Sequence, residues 1–345
     1  MPRARVGLVL LAGLLLATSG CSRGGGTASD RSVTAEGGAH DRATLMGAGS
    51  TFAAPVVQDW IARYRQVAPE VRIDYQITGS VTGIERLTSG AVAFAVSELP
   101  LADALADAAE TRFPPIEVPC IGGAVAVAYN LPGVSTLRLT ATTLAAIFSG
   151  TVTRWDDPAI VADNAGITMP PTEIRLVGRS DRSGTTQVLT QFLTRAAPDV
   201  WRLGAGPTVA WPTGATVAEG AEGALAVVEE TVGAIGYAEA HHTAQAMLGA
   251  ASIENGAGRF VAPTSEALDA ALNGATGESP SAYPLTTIAF LVLSPSRPDE
   301  PAAVALRHFA TWLLTEGQAS AERLGYARVP DAFLSKAVTT VLGVG

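Results

Sequence analysis

Gly178-Arg179-Ser180-Asp181-Arg182-Ser183-Gly184-Thr185-Thr186 is the stretch around which the rest of the chain is read. A mostly apolar run, Ile174-Arg175-Leu176-Val177, leads in as a short strand. Residues 186–193 lead out, with Val188, Leu189, Phe192 and Leu193 on one helical face. Ser183 is a good N-cap, and Gly184 lets a ligand approach the backbone closely. A helix N-terminus presents unpaired N–H groups and a partial positive charge, so it suits an anion. Arg179 adds a guanidinium fork that matches oxyanion geometry, and Asp181 is placed to hold that fork. On these residues alone, an anion site and an ordinary capped turn with a surface ion pair both stay open.

The chain has 345 residues, enough for two domains, with 48% hydrophobic and 16% charged residues. This composition suits a globular α/β protein and argues against disorder. The formal net charge is −9 and no basic tract exists, which argues against a nucleic-acid partner. An acidic protein that binds an anion must rely on local dipoles and hydrogen bonds rather than on its overall field. The two cysteines differ in meaning. Cys120 lies in the apolar run 118–127 and reads as a buried, inert thiol. Cys21 follows an N-terminal signal. No zinc spacing or redox CxxC is present, so neither metal nor cofactor is expected.

Residues 1–21 read as a secretory signal, with Arg3 and Arg5 ahead of the short apolar run 6–16 and small residues Ala17-Thr18-Ser19-Gly20 before Cys21. The segment resembles a bacterial lipoprotein signal, which implies a lipid on Cys21; it departs from that pattern at Thr18, where Leu is usual. Residues 22–42, rich in Gly, Ser and Thr, read as a flexible tether lifting a domain off a membrane.

Folded structure is expected from Ala43. Met46-Gly47-Ala48-Gly49-Ser50-Thr51-Phe52 precedes a helix marked by Val56, Val57, Trp60, Ile61 and Tyr64, with Pro55 in its first turn. The string superficially resembles a phosphate loop but has no Lys. Residues 71–77 alternate like a strand, followed by the Ser/Gly turn 78–83 and a helix over 84–88. A buried strand over 91–96 ends in Ser97-Glu98-Leu99-Pro100-Leu101, where Glu98 is either a solvated loop residue or a carboxylate among anion-binding turns. Further strands are expected over 121–129, 233–237 and 287–293, and helices over 144–148, 220–230, 264–271, 302–316 and beyond Asp331. His241 and His242 lack a carboxylate or Cys at metal spacing and read as a loop or helix-start pair. Alternating strands and helices predict an α/β fold with a largely parallel sheet in each of two lobes. Ligands of such sheets sit at the carboxyl ends of strands, where these hydroxyl- and Gly-rich turns would gather into a cage of N–H and O–H donors with one guanidinium.

Taken together, Gly47-Ala48-Gly49-Ser50-Thr51-Phe52, Gly79-Ser80, Ser97-Glu98-Leu99-Pro100-Leu101, Ile121-Gly122-Gly123, Trp155-Asp156-Asp157, Arg179-Ser180-Asp181-Arg182-Ser183-Gly184-Thr185, Gly233-Ala234-Ile235-Gly236-Tyr237 and Leu324-Gly325-Tyr326 followed by Val329-Pro330 resemble the phosphate-binding lipoproteins of the phosphate-specific ABC transporter, the PstS family. The resemblance implies a two-lobed periplasmic-binding-protein fold of type II, with lobe 1 formed by residues 43–118 plus 289–345 and lobe 2 by 119–288. It implies Thr51, Phe52 (backbone N–H), Ser80, Arg179, Ser183, Gly184 (backbone N–H) and Thr185 as phosphate ligands, with Asp181 orienting Arg179. The family's proton-accepting aspartate corresponds to Glu98, a departure in length by one methylene. It also implies an extracytoplasmic protein, anchored to the membrane through Cys21, monomeric, without enzymatic activity, and delivering inorganic phosphate to transmembrane permease subunits.

Three rival readings stand beside this one. A serine hydrolase would use Ser183 with Asp181 and His241 or His242, but the G-x-S-x-G elbow is missing. A binder of sulfate, molybdate or arsenate would use the same cage; an acidic acceptor disfavours fully deprotonated anions but not arsenate. A phosphate sensor without a transporter would look the same in sequence.

Overall fold

The computed structural model describes residues 42–101, 115–274, 279–294 and 300–343. Cys21, the signal and almost all of the tether lie outside the described residues. Twelve strands are present among them. They are β1 (Ala43–Gly49), β2 (Val71–Ile77), β3 (Phe94–Ser97), β4 (Ile116–Tyr129), β5 (Arg138–Leu139), β6 (Arg175–Arg179), β7 (Thr216–Ala218), β8 (Ala234–Glu239), β9 (Gly249–Ala250), β10 (Ser252–Glu254), β11 (Phe260–Val261) and β12 (Thr286–Leu293). The main path runs β2-β1-β3-β12-β4-β8-β6-β7, with β9 added to β4; β11-β10-β5 make a small separate sheet.

Parallel pairing holds within β2-β1-β3 and within β8-β6-β7, as strand–helix alternation predicts. The exception is the middle of the path. β12 is antiparallel to both β3 and β4, and β4 is antiparallel to β8. β4 is long enough to serve two neighbours: residues 116–124 pair with β12 and 125–129 with β8.

Two hydrophobic cores flank that handover. One gathers Leu45, Phe52, Trp60, Tyr64, Phe94, Ile121, Leu291 and Phe309. The other gathers Val125, Leu144, Phe148, Trp155, Leu189, Ile235, Tyr237 and Leu285. Each fully buried large side chain contributes about 1.5–3 kcal/mol. Core membership changes on β4 between Ile121 and Ala124, and on the return between Leu285 and Ala289. The fold therefore has two lobes joined through β4 and β12.

The ring nitrogens of two buried tryptophans are satisfied. Trp60 Nε1 donates to the Gly317 carbonyl at 2.7 Å, and Trp155 Nε1 donates to the Gly233 carbonyl at 3.0 Å. The second bond packs the Trp155 and Gly233 strings on each other. Tyr326 OH donates to the Phe52 carbonyl at 2.6 Å, fixing the turn after β1. Cys120 is buried and free, and Sγ donates to the Ala289 carbonyl at 3.3 Å. Burial raises its pKa, so it stays a thiol.

Several element bounds differ from the sequence reading, three of them in the first lobe's strands and helices. The helix expected from Ile84 begins at Ser80 and runs Ser80–Thr88. Gly79, with φ of +82°, makes the sharp entry, and the low helix propensity of Ser, Val and Thr matters little in a first turn. β3 begins at Phe94 rather than at residue 91. β4 begins at Ile116, because Pro119 is accommodated opposite Phe290, next to a register shift in β12.

Candidate functional site

Four turns bring polar side chains to the strand ends. The first follows β1. Gly49 has φ of +134° and is packed so tightly against the Val96 carbonyl that no side chain fits. Its carbonyl accepts the N–H groups of Thr78 and Gly79 at 3.0 and 2.9 Å, tying the second turn to the first. The Ser50 N–H donates to Val96 O at 2.8 Å, tying in the third. Thr51 and Phe52 then precede the helix Ala54–Val67.

Glu98 stands at the meeting point. It is 6% exposed, in a short loop clamped by Ser97, whose hydroxyl donates to Leu99 O at 2.8 Å and accepts from Leu99 N at 2.9 Å. Its carboxylate accepts from the Ser50 hydroxyl on Oε1 and from the Ser80 hydroxyl on Oε2 at 2.7 Å. Burial pushes its pKa up to about 7, against the two serine hydrogen bonds that lower it.

The fourth turn, from lobe 2, closes on this group. A side-chain carbon on Gly184 would collide with Glu98 Oε2. Likewise a side-chain carbon on Gly79 would lie 2.8 Å from the Arg182 carbonyl. The space left here is a cavity of about 10 Å³, lined by Ser80, Leu99, Arg182, Gly184 and Pro207 among others. That is room for about one water.

Within lobe 2, Ser183 caps the helix Gly184–Ala196, accepting from Thr186 N at 3.4 Å. The first-turn N–H groups of such a helix have no intrahelical partner. Arg179 ends β6 and is 3% exposed. Its Nε and Nη2 reach Asp181 Oδ1 and Oδ2 at 2.8 and 2.6 Å, and Asp181 Oδ1 also accepts from Gly220 N at 3.0 Å. Burial opposes the charge on Arg179, but the Asp181 hydrogen bonds and the negative charges of Glu239 and Asp181 outweigh it and raise its pKa. Its backbone is pinned by Tyr237 OH, which accepts from Arg179 N at 3.3 Å, and by Trp211 Nε1, which donates to Arg179 O at 3.1 Å.

Two buried donors in these turns, Thr51 Oγ1 and Arg179 Nη1, have no hydrogen-bond partner among the described residues. Buried donors are rarely left so unless something else satisfies them.

Direct contacts thus link Ser80, Glu98 and Gly184 across the lobes, while Arg179, Asp181, Ser183 and Thr185 belong to one turn and Thr51 and Phe52 to another. Two residues that contact the site had no role assigned from sequence, Ser50 and Glu239. Ser50 bonds Glu98. Glu239, 1% exposed at the end of β8, accepts from Thr185 Oγ1 at 2.6 Å and faces His242 Nδ1 at 3.1 Å. A carboxylate directly after an apolar strand was the available signal, the same one that marks Glu98. His242 is the third residue of the short helix Ala240–Gln245. Neither histidine hydrogen-bonds Ser183 among the described residues. Nor does any group of three or more His, Cys, Asp or Glu there suit a metal ion.

This arrangement of two lobes, β-strand ends and a closed polar cleft defines a solute-binding protein of the periplasmic type. A profile of the PBP superfamily domain matches residues 34–316. The phosphate-binding protein PstS of Xylella fastidiosa is 33% identical over 306 residues, covering 83% of this chain and 81% of that one. The phosphate-binding protein PstS 3 of Mycobacterium tuberculosis is 31% identical over 366 residues, covering 98% and 97%. Among solved structures, a high affinity periplasmic phosphate-binding protein (PfluDING) bound with phosphate aligns with a TM-score of 0.69 at 21% identity, covering 86% of this chain and 93% of that one. The chain belongs to the PstS family of phosphate-binding proteins.

Proposed function

We propose that this protein captures inorganic phosphate between its lobes and delivers it to the transmembrane subunits of an ABC permease, performing no chemistry on it. The observation that carries the reading is the buried Arg179, tied to Asp181 on two nitrogens and left with Nη1 unpartnered beside a capped helix N-terminus. A guanidinium arm and first-turn N–H groups together suit a tetrahedral oxyanion. The ligands in this reading are Thr51, Phe52, Ser80, Glu98, Arg179, Ser183, Gly184 and Thr185, with Asp181 orienting Arg179. The lobes are 43–118 plus 289–345 and 119–288, and binding closes them in a hinge motion. Titration calorimetry of the protein with phosphate and then sulfate tests this. Strong heat with phosphate and little with sulfate is expected; no binding of phosphate rejects the reading.

The protein works outside the cytoplasmic membrane as a monomer, held by a lipid on Cys21. Among the described residues no helix is long and apolar enough to cross a membrane. Cys21→Ser is expected to release the protein into the medium, with acyl mass present on the wild type alone. Unchanged membrane retention, and no acyl mass on the wild type, rejects the anchor. One acyl chain holds weakly, so the anchor requires more than one.

A further inference from the structure

His241 has no place in the ligand set just given, yet it stands where the two lobes touch. It belongs to the helix Ala240–Gln245, which follows β8, and it is buried. Its ring lies 4.7 Å from that of Tyr326, in the C-terminal part of the chain, and 3.9 Å from that of His242. A side-chain carbon on Gly325 would come within 3.0 Å of His241 Cβ, so the helix sits directly on the turn at Gly325 and Tyr326. Tyr326 packs in the core of lobe 1, and the next residue, Ala327, in that of lobe 2. Tyr326 also holds the Phe52 turn: its hydroxyl donates to the Phe52 carbonyl at 2.6 Å, and its ring meets Phe52 edge-on at 5.7 Å. One chain of contacts thus runs from lobe 2 through His241 and Tyr326 to Phe52. His241 Nε2 is buried and has no hydrogen-bond partner among the described residues. A neutral imidazole can leave a bare lone pair there. An imidazolium carries an N–H on both ring nitrogens, and a buried charged donor without an acceptor is costly.

We propose that His241 is a positioning residue: its neutral ring seats Tyr326, and through it the Phe52 turn, while the lobes are closed, and a proton on the ring unseats them, so that phosphate is held less tightly in acid. This rests on the phosphate-binding reading above. The groups that face the ring agree with it. Tyr326 is kept protonated by burial and spends its proton on Phe52. Glu239, at the end of β8, attracts a charge on His241, but its oxygens already face Thr185 and His242. Burial first and His242 second outweigh that attraction and lower the His241 pKa to about 4. Parting the lobes returns the imidazole to water, where it titrates at about 6.5. A proton therefore binds the open form more tightly than the closed one. Affinity for phosphate then falls as pH drops from about 6.5 towards 4, by at most about tenfold per unit. Above that window His241 is neutral in both forms and adds no pH dependence.

The test compares variants with wild type at the same pH, so that the ionisations of phosphate and of Glu98 are common to both. Phosphate binding to the full chain is followed by calorimetry in buffers of different ionisation enthalpy. His241→Phe keeps a ring against Tyr326 but cannot titrate. The ratio of its affinity to that of wild type is expected to grow on the order of tenfold between about pH 7 and about pH 5. Over the same range wild type should release up to about one proton more per phosphate bound than His241→Phe does. A merely structural role would lower affinity without moving that count. His241→Ala removes the seat itself and is expected to bind more weakly than His241→Phe at neutral pH. Should His241→Phe not fold, His241→Gln, which also stays uncharged over this range, takes its place in the pH comparison. A ratio that does not change with pH, equal proton counts, or equal binding by the Phe and Ala variants overturns the proposal while leaving phosphate binding intact. Absence of phosphate binding by wild type at every pH overturns the underlying reading instead.

Discussion

Arg179→Ala is expected to weaken phosphate binding by one to three orders of magnitude. Arg179 is buried to 3% exposure and gives Asp181 two hydrogen bonds, leaving Nη1 as the arm available to an anion. Removing one partner of a buried, charge-assisted contact costs about 2–5 kcal/mol, and each 1.4 kcal/mol is about tenfold in affinity. The alanine variant also strips Asp181 of its partner while leaving its negative charge beside the ligand. Arg179→Lys restores only part of the loss, because one ammonium cannot serve Asp181 in bidentate fashion and reach the anion too. Arg182, exposed on the same turn, is the control, and Arg182→Ala is expected to bind as wild type does. Calorimetry on the three variants, with unfolding curves to separate affinity from stability, decides the matter. Greater damage from Arg182→Ala than from Arg179→Ala would mean the guanidinium at 179 is not the ligand.

The second large effect is on selectivity, through Glu98. At neutral pH phosphate carries at least one proton and sulfate carries none. A carboxylate can accept a P–OH hydrogen bond, but toward sulfate it offers only lone pairs and charge. Glu98→Gln adds N–H donors at the same place, so the preference for phosphate over sulfate is expected to narrow by an order of magnitude or more, about the worth of one buried charge contact. Competition binding with both anions reads this out; an unchanged ratio removes Glu98 from discrimination. The substitution also carries a signature without ligand. Burial raises the Glu98 pKa from 4.5 to about 7 in the folded protein, so the protonated form favours folding. That stabilisation is complete below 4.5 and fades as pH rises to 7, by roughly 3 kcal/mol in all. Urea unfolding of phosphate-free wild type and Glu98→Gln at both ends of this window should show the difference closing in one direction only. Parallel pH curves would mean Glu98 is solvated in solution.

Much of this was legible in the chain. Hydrophobic period and cap residues placed the helix Gly220–Glu230 at its observed bounds and put Ser183 at the head of Gly184–Ala196, because both signals are local. The turns were legible for the same reason, since Gly and hydroxyl residues mark a strand-to-helix junction wherever it lies in space. What stayed hidden is non-local. Nothing near Ser50 says that its hydroxyl meets a carboxylate 48 positions away, and Thr185 gives no sign of Glu239, 54 positions on. The antiparallel insertion of β12 between β3 and β4 is of the same kind. It depends on which strand fills the gap between two lobes, and periodicity does not encode neighbours.

The division of the two cores along the chain has a kinetic corollary. The core of lobe 2 draws almost entirely on one uninterrupted stretch, from Ala124 to Leu285. The core of lobe 1 takes Leu45 to Ile121 from one end and Ala289 to Val341 from the other. Until the second half of that set is in place, β3 lacks its neighbour β12, and Phe94, Leu291 and Phe309 cannot meet. Closing so long a loop is slow, and an unpaired strand edge in the meantime invites the wrong partner. On refolding, amides of β6 and β8 should therefore become protected before those of β1 and β3. In a chain made N-terminus first, the lobe that holds the first strand would thus be the last to become native.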